Sequence, residues 1–173
     1  RSDWYPLTLL TAGGGGAAQP AWRPSTELTL ADCFAATRSA TSVLAAALAT
    51  PNILGDWASF SEDGWAVASA VRSSIRAGHL ERTHLLEQAF LALSRDDRAH
   101  NQRVISAVLQ AVDPKPEEVI ARFALIMHVL PTVHGSVTKA LLDMALAADL
   151  DDDQLVEIGM IILARPEKAQ KKT

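Results

Sequence analysis

The sequence predicts an all-α fold built from antiparallel helix pairs stacked one on the next. Three observations carry that expectation. Apolar residues make up 49% of the chain and aromatics only 5%, so the apolar share is mostly Ala, Leu, Val and Ile. Ala and Leu lose little side-chain entropy in a helix. From about residue 80 onward, apolar residues recur at i, i+3, i+4 and i+7, the pattern of helices that bury one face. No stretch alternates with period two between turn signals, so no sheet is expected.

Residues 1–29 stand apart. Gly13 to Gly16 form a four-glycine run, followed by Pro20 and Pro24, with Trp4, Tyr5 and Trp22 around it. Four glycines have too much backbone freedom to hold regular structure, so this stretch reads as a Gly/Pro-rich arm or linker, partly ordered. The helical-repeat domain is expected over 30–173. A first, weaker pair falls at about 30–38 and 41–49 and ends at Pro51-Asn52. An irregular loop containing Gly55 follows. Ser61 is placed to cap a helix running to about Ala77, with Glu62 and Asp63 in its first turn and Gly78 as its stop.

Five clearer helices come next. Residues 80–94 align Leu85, Leu86, Ala89, Phe90 and Leu93, and residues 98–112 align Val104, Ile105, Val108 and Val112. Pro116 opens a helix over 116–130, where its missing N–H costs nothing, with Val119, Ile120, Phe123, Met127 and Leu130 on the stripe. Residues 135–148 carry Val137, Leu141, Met144 and Ala145, with Ser136 as the expected cap. Residues 152–164 carry Leu155, Ile158, Ile162 and Leu163, capped by the acids Asp151 to Asp153.

Helices start roughly every 17–19 residues, so a pair recurs about every 36. Short loops make neighbours antiparallel. That period suits a short HEAT-like α-solenoid, in which the second helices of the pairs, at 41–49, 80–94, 116–130 and 152–164, are expected to line a groove. A closed bundle around one centre is the alternative arrangement. The segment from Asp113 to Arg122 enters a helix through Pro-Glu-Glu. An apolar helix broken at a short loop, an Ala/Leu helix, an acidic turn and an Arg-Pro-x-Lys ending at Arg165–Lys168 follow. In these features the last 100 or so residues resemble the HEAT-like repeat region of an uncharacterised family of large bacterial proteins. The resemblance implies a helical-repeat fold and no known activity. The chain opens on Arg1-Ser2-Asp3 without Met, and a helical pattern runs on toward Thr173. A piece of a longer chain is therefore expected.

Several chemistries lack their residues. After Gly13–Gly16 comes Ala17-Ala18-Gln19-Pro20, without the Lys and Ser/Thr of a phosphate loop. Glu81-x-x-His84 and Asp97-x-x-His100 each put a carboxylate and an imidazole on one helix face, as di-iron bundles do. Both motifs start consecutive antiparallel helices. Their sites are therefore about 20 Å apart at 1.5 Å per residue and cannot share a metal. Asp149 to Asp153 match a calcium loop in charge but lack its alternating ligands, central glycine and closing Glu. No Gly-x-Ser-x-Gly elbow is present, Cys33 has no neighbouring His in sequence, and His128 reads as an interior or boundary histidine. Neither a catalytic site nor a cofactor is therefore expected.

The net charge of −4 and the absence of a basic face argue against nucleic acid. A single cysteine, no run of about 18 apolar residues and no leader-like N-terminus point to the cytoplasm and to no membrane partner. Trp57, Phe60 and Trp65 form the densest aromatic cluster. They read either as a plug between helix pairs or as anchors for a partner. The functional expectation is a non-enzymatic protein-interaction scaffold. The alternatives are an accessory or regulatory helical domain whose activity lies elsewhere in a larger protein, and a metal-bearing bundle enzyme.

Overall fold

A computed structural model describes residues 29–58 and 65–164. The regular elements among these residues are all helices, with no strand. The helices are α1 (Leu30–Ala36), α2 (Ala40–Ala49), α3 (Ile53–Trp57), α4 (Trp65–Arg76), α5 (Arg82–Leu93), α6 (Ala99–Val112), α7 (Pro116–Ile120), α8 (Phe123–Val129), α9 (Gly135–Leu146) and α10 (Asp152–Ala164). The arm expected over 1–29 lies outside the described residues except for Thr29, and so do Phe60 and the predicted cap Ser61. The chain divides into two compact units, Arg1–Pro114 and Lys115–Thr173. The division falls within the proline-punctuated stretch 113–116.

Helix ends follow local chemistry. Thr29 caps α1 in a capping box: its hydroxyl accepts the Asp32 amide at 3.2 Å, and the Asp32 carboxylate accepts the Thr29 amide at 2.9 Å. Those Thr29 bonds, side chain first and backbone second, pull the Asp32 carboxyl below its usual range. α4 stops as predicted at Gly78, which sits at φ +77°. The His79 amide reaches the Ser74 carbonyl and the Gly78 amide the Ile75 carbonyl, at 2.9 and 3.0 Å, the two bonds of a Schellman motif. α10 is capped by Asp151, whose carboxylate accepts the Gln154 amide at 2.8 Å while Gln154 Oε1 accepts the Asp151 amide at 3.1 Å.

In the first unit α6 is the centre. Nine of its fourteen residues are buried, more than one stripe supplies. Its neighbours account for this: α6 packs on α3, α4 and α5. α4 also packs on α1, and α5 on α2. The helices therefore fall into two rows, α1–α4–α6 and α2–α5, bridged where α5 meets α6. Phe34, Leu44, Leu54, Val71, Leu86, Phe90, Ile105 and Leu109 fill the space between them. The predicted stripes of α5 and α6 are buried in full. Arg82, at the start of α5, donates from Nε to the Val112 carbonyl at 3.0 Å and from Nη2 to the Asp113 carbonyl at 2.7 Å. A cation thus meets the carbonyl end of the α6 dipole, and the start of α5 lies beside the end of α6, as antiparallel neighbours require.

In the second unit the expected single helix over 116–130 is two, α7 and α8. The physical reason lies at Arg122. Its guanidinium takes the Glu118 carbonyl at 3.1 Å, the acceptor its own amide would use in a continuous α-helix. The amide turns instead to the Val119 carbonyl at 3.0 Å, a tighter i→i−3 turn. α7 packs on α9, and Val119, Ile126, Leu130, Val137, Leu141 and Ala145 are buried. The cap of α9 is His134, not the expected Ser136: His134 Nδ1 accepts the Ser136 amide at 3.3 Å. The predicted stripe of α10 is only partly correct. Ile158 is buried and Ile162 half-buried, but Leu155 and Leu163 are exposed. The stripe of α7 likewise loses Ile120 to solvent, and His128 on α8 is exposed rather than interior.

Candidate functional site

Trp57 ends α3, in the segment expected to be an irregular loop. Five residues do not make a helix stable by themselves, so something else holds them. The holding groups come from the start of α6. Asn52 adopts a left-handed conformation at φ 63°, which asparagine tolerates better than most residues. Its Oδ1 accepts the Arg98 amide at 3.0 Å, one of the orphan donors at the α6 N-terminus. The exchange is reciprocal: the Gly55 amide, an orphan in the first turn of α3, donates to Asn101 Oδ1 at 2.6 Å. His100 Nε2 lies 3.2 Å from the Gly55 carbonyl. A carbonyl only accepts, so Nε2 carries the proton in this contact.

A second tier fixes Asn101 itself. Its Nδ2 donates to Asp97 Oδ2 at 2.6 Å, and Arg95 Nη2 reaches the same oxygen at 3.0 Å. Asp97 and Asn101 are both buried. A buried carboxylate is tolerated when paired and hydrogen-bonded, and Arg95 with Asn101 provides both. The close approach leaves little room for a side chain at 55. A Cβ there would lie 3.2 Å from His100 Cδ2, 3.3 Å from Asn101 Oδ1 and 3.4 Å from Asn101 Cα.

This geometry decides where the Asp97-x-x-His100 pair goes. Asp97 turns to Arg95 and Asn101, while His100 turns to Gly55. The carboxylate and the imidazole serve different bonds. At the other pair, the Glu81 amide donates to Thr41 Oγ1 at 2.9 Å, tying the start of α5 to α2. Among the described residues, no three or more His, Cys, Asp or Glu side chains gather as a metal site would require.

Of the aromatic cluster, Trp57 is half-buried at the end of α3 and Trp65 opens α4. Phe60 lies outside the described residues, as do the surroundings of the Trp65 side chain. Sequence reasoning missed the support beneath Trp57. Its partners, Asn52 with Arg98 and Gly55 with Asn101, are each 46 residues apart. The one sequence signal was Gly55 itself.

Cys33, on α1, is half-buried; burial first, then the nearby Asp32 charge, push its thiol above the ordinary range. A raised thiol is a poor nucleophile at neutral pH. No described helix is long and apolar enough to cross a membrane.

No family model, no curated protein and no solved structure matches the chain. The reading of function therefore stands on the residues and their packing.

Proposed function

We propose that this chain is a non-enzymatic, cytoplasmic interaction scaffold: a short HEAT-like stack of helix pairs whose ligand is another protein. One observation carries the reading. In the first unit α1 packs on α4, α4 on α6 and α2 on α5, contacts between helices that are not consecutive. Layering of that kind lets a repeat array present one continuous face. The outer side of the α2–α5 row carries Ser42, Ala46 and Ala49 from α2, and Thr83, Glu87 and Leu91 from α5. Among these six exposed residues one is a large apolar side chain, Leu91, 54% exposed. Trp57, Phe60 and Trp65 are the second candidate for partner anchors, since aromatic residues dominate interface energetics.

The test is affinity capture with the immobilised chain from a lysate of its source organism. Leu91→Asp and Trp57→Ala are run in parallel, with circular dichroism as the control for folding. A protein retained by the parent chain and lost from either folded variant supports the scaffold. Retention of nothing, or retention that neither variant alters, overturns it.

A further inference from the structure

We propose that the solvent side of α4 and α6 is a docking face for an acidic peptide, whose carboxylates are taken by Arg72, Arg76 and Arg103. The face uses helices other than those of the α2–α5 row and does not depend on the scaffold reading. It begins with a segregation of charge. Neither α4 nor α6 contains an aspartate or a glutamate, and their cations are Arg72, Arg76 and Arg103. In the sequence Arg76 and Arg103 are 27 residues apart, so no basic run marks them. Packing of α4 on α6 removes that separation. α6 packs on α3, α4 and α5 and keeps one open side, with Ala99, Arg103 and Gln110 at helical spacing along it. α4 packs on α1 and α6 and leaves Arg72, Ser73 and Arg76 exposed. The open sides of two packed helices border each other, and guanidinium groups are the only charges on them.

Two observations point to an anion. None of the three arginines has a hydrogen bond or ion pair among the described residues, and Arg103 Nε is buried without a partner. Part of that cation is withdrawn from water with no anion beside it, which is disfavoured. Arg72 and Arg76 also stand at i and i+4 on α4, where like charges repel. The acids on neighbouring elements do not answer them. Asp32 of α1 is held by Thr29, and Asp97 by Arg95 and Asn101. Asp56 of α3 and Glu87 of α5 are exposed and pair with none of the three. Spacing chooses a peptide. Arg72 and Arg76 are about 6 Å apart along the axis, which is the advance of two residues in an extended chain. The planar fork of arginine matches a carboxylate through two parallel bonds. Nucleic acid is the poorer match: three cations release few counterions, and Asp56 and Glu87 on the adjoining helices repel a long phosphate backbone.

The experiment is fluorescence polarisation of a labelled octaglutamate peptide, titrated with the full chain to about 1 mM at low salt, because exposed ion pairs are weak and screened. A dissociation constant on the order of 100 µM is expected. The double variant Arg72→Gln/Arg76→Gln and the single variant Arg103→Gln each weaken it at least about threefold, with circular dichroism as the control for folding. Arg72 and Arg76 are exposed, so the double variant keeps its fold and decides the matter even where Arg103→Gln does not fold. Lys115→Gln/Lys139→Gln removes the same charge from the second unit and leaves the affinity within about twofold of the parent value. An octalysine peptide and a thymidine oligonucleotide of the same length test the class of partner. Absence of octaglutamate binding, an equal loss in the Lys115/Lys139 variant, a folded Arg103→Gln that binds as the parent does, or tighter binding of the oligonucleotide or of octalysine overturns the proposal.

Discussion

Substituting Gly55 by alanine tests the account of α3 most directly, because two effects oppose each other. In an ordinary helix the change favours alanine by about 0.5–1 kcal/mol. Here the new methyl lies 3.2 Å from His100 Cδ2 and 3.4 Å from the Asn101 main chain. Overpacking a well-filled site costs about 1–3 kcal/mol. The bond at greatest risk is the 2.6 Å contact from the Gly55 amide to Asn101 Oδ1, buried on both sides. Leaving such a donor unmet costs about 1–3 kcal/mol more. The hydrogen bond stretches rather than breaks, because the required movement is a few tenths of an ångström. The expected net loss is therefore about 1–2 kcal/mol, a fall in Tm of about 5–10 °C for a unit of this size. The assay is thermal unfolding followed by circular dichroism. In an Asn101→Ala background the same substitution costs at least about 0.5 kcal/mol less, because the crowded partner is gone. Gly135→Ala, where the added methyl meets nothing within 4 Å, is neutral or stabilising. A Tm for Gly55→Ala equal to or above the parent value refutes the reasoning.

Three other outcomes follow from the same geometry. Gly78→Ala forces alanine to φ +77° and lowers stability by about 1–2 kcal/mol in a denaturant titration, whereas Gly78→Asn loses less. Arg82→Met removes the guanidinium from the Val112 and Asp113 carbonyls. It lowers the urea midpoint with the slope unchanged, by about 1–3 kcal/mol for hydrogen bonds to a charged group. Cys33 reacts with iodoacetamide more slowly at pH 8 than an unstructured thiol, and its rate is still rising with pH above the ordinary value of 9.0. The sign is that of a raised acid: the protonated thiol is the form the fold favours. Its contribution to stability is whole below the unfolded value and is lost as pH climbs through the folded one.

What the chain spelled out by itself was whatever needs only four or five neighbouring residues. Gly78 ends α4 because only a residue at ease with positive φ closes that motif, and Pro116 and Asp151 start helices through groups within one turn of themselves. Long stripes such as Leu85–Leu93 were legible for the same reason, since one helical period declares them. Tertiary structure decided the rest. α3 is too short to stand alone and exists because Asn101 and Arg98, 46 residues onward, satisfy its first turn and the turn before it. The break between α7 and α8 came from one guanidinium outbidding an amide for the Glu118 carbonyl. Leu155 and Leu163 turn outward while Ile158 is buried, a choice among the apolar sides of α10 that its periodicity does not make. Periodicity shows that a helix has a face to bury, but which face is covered depends on neighbours that the local sequence does not contain.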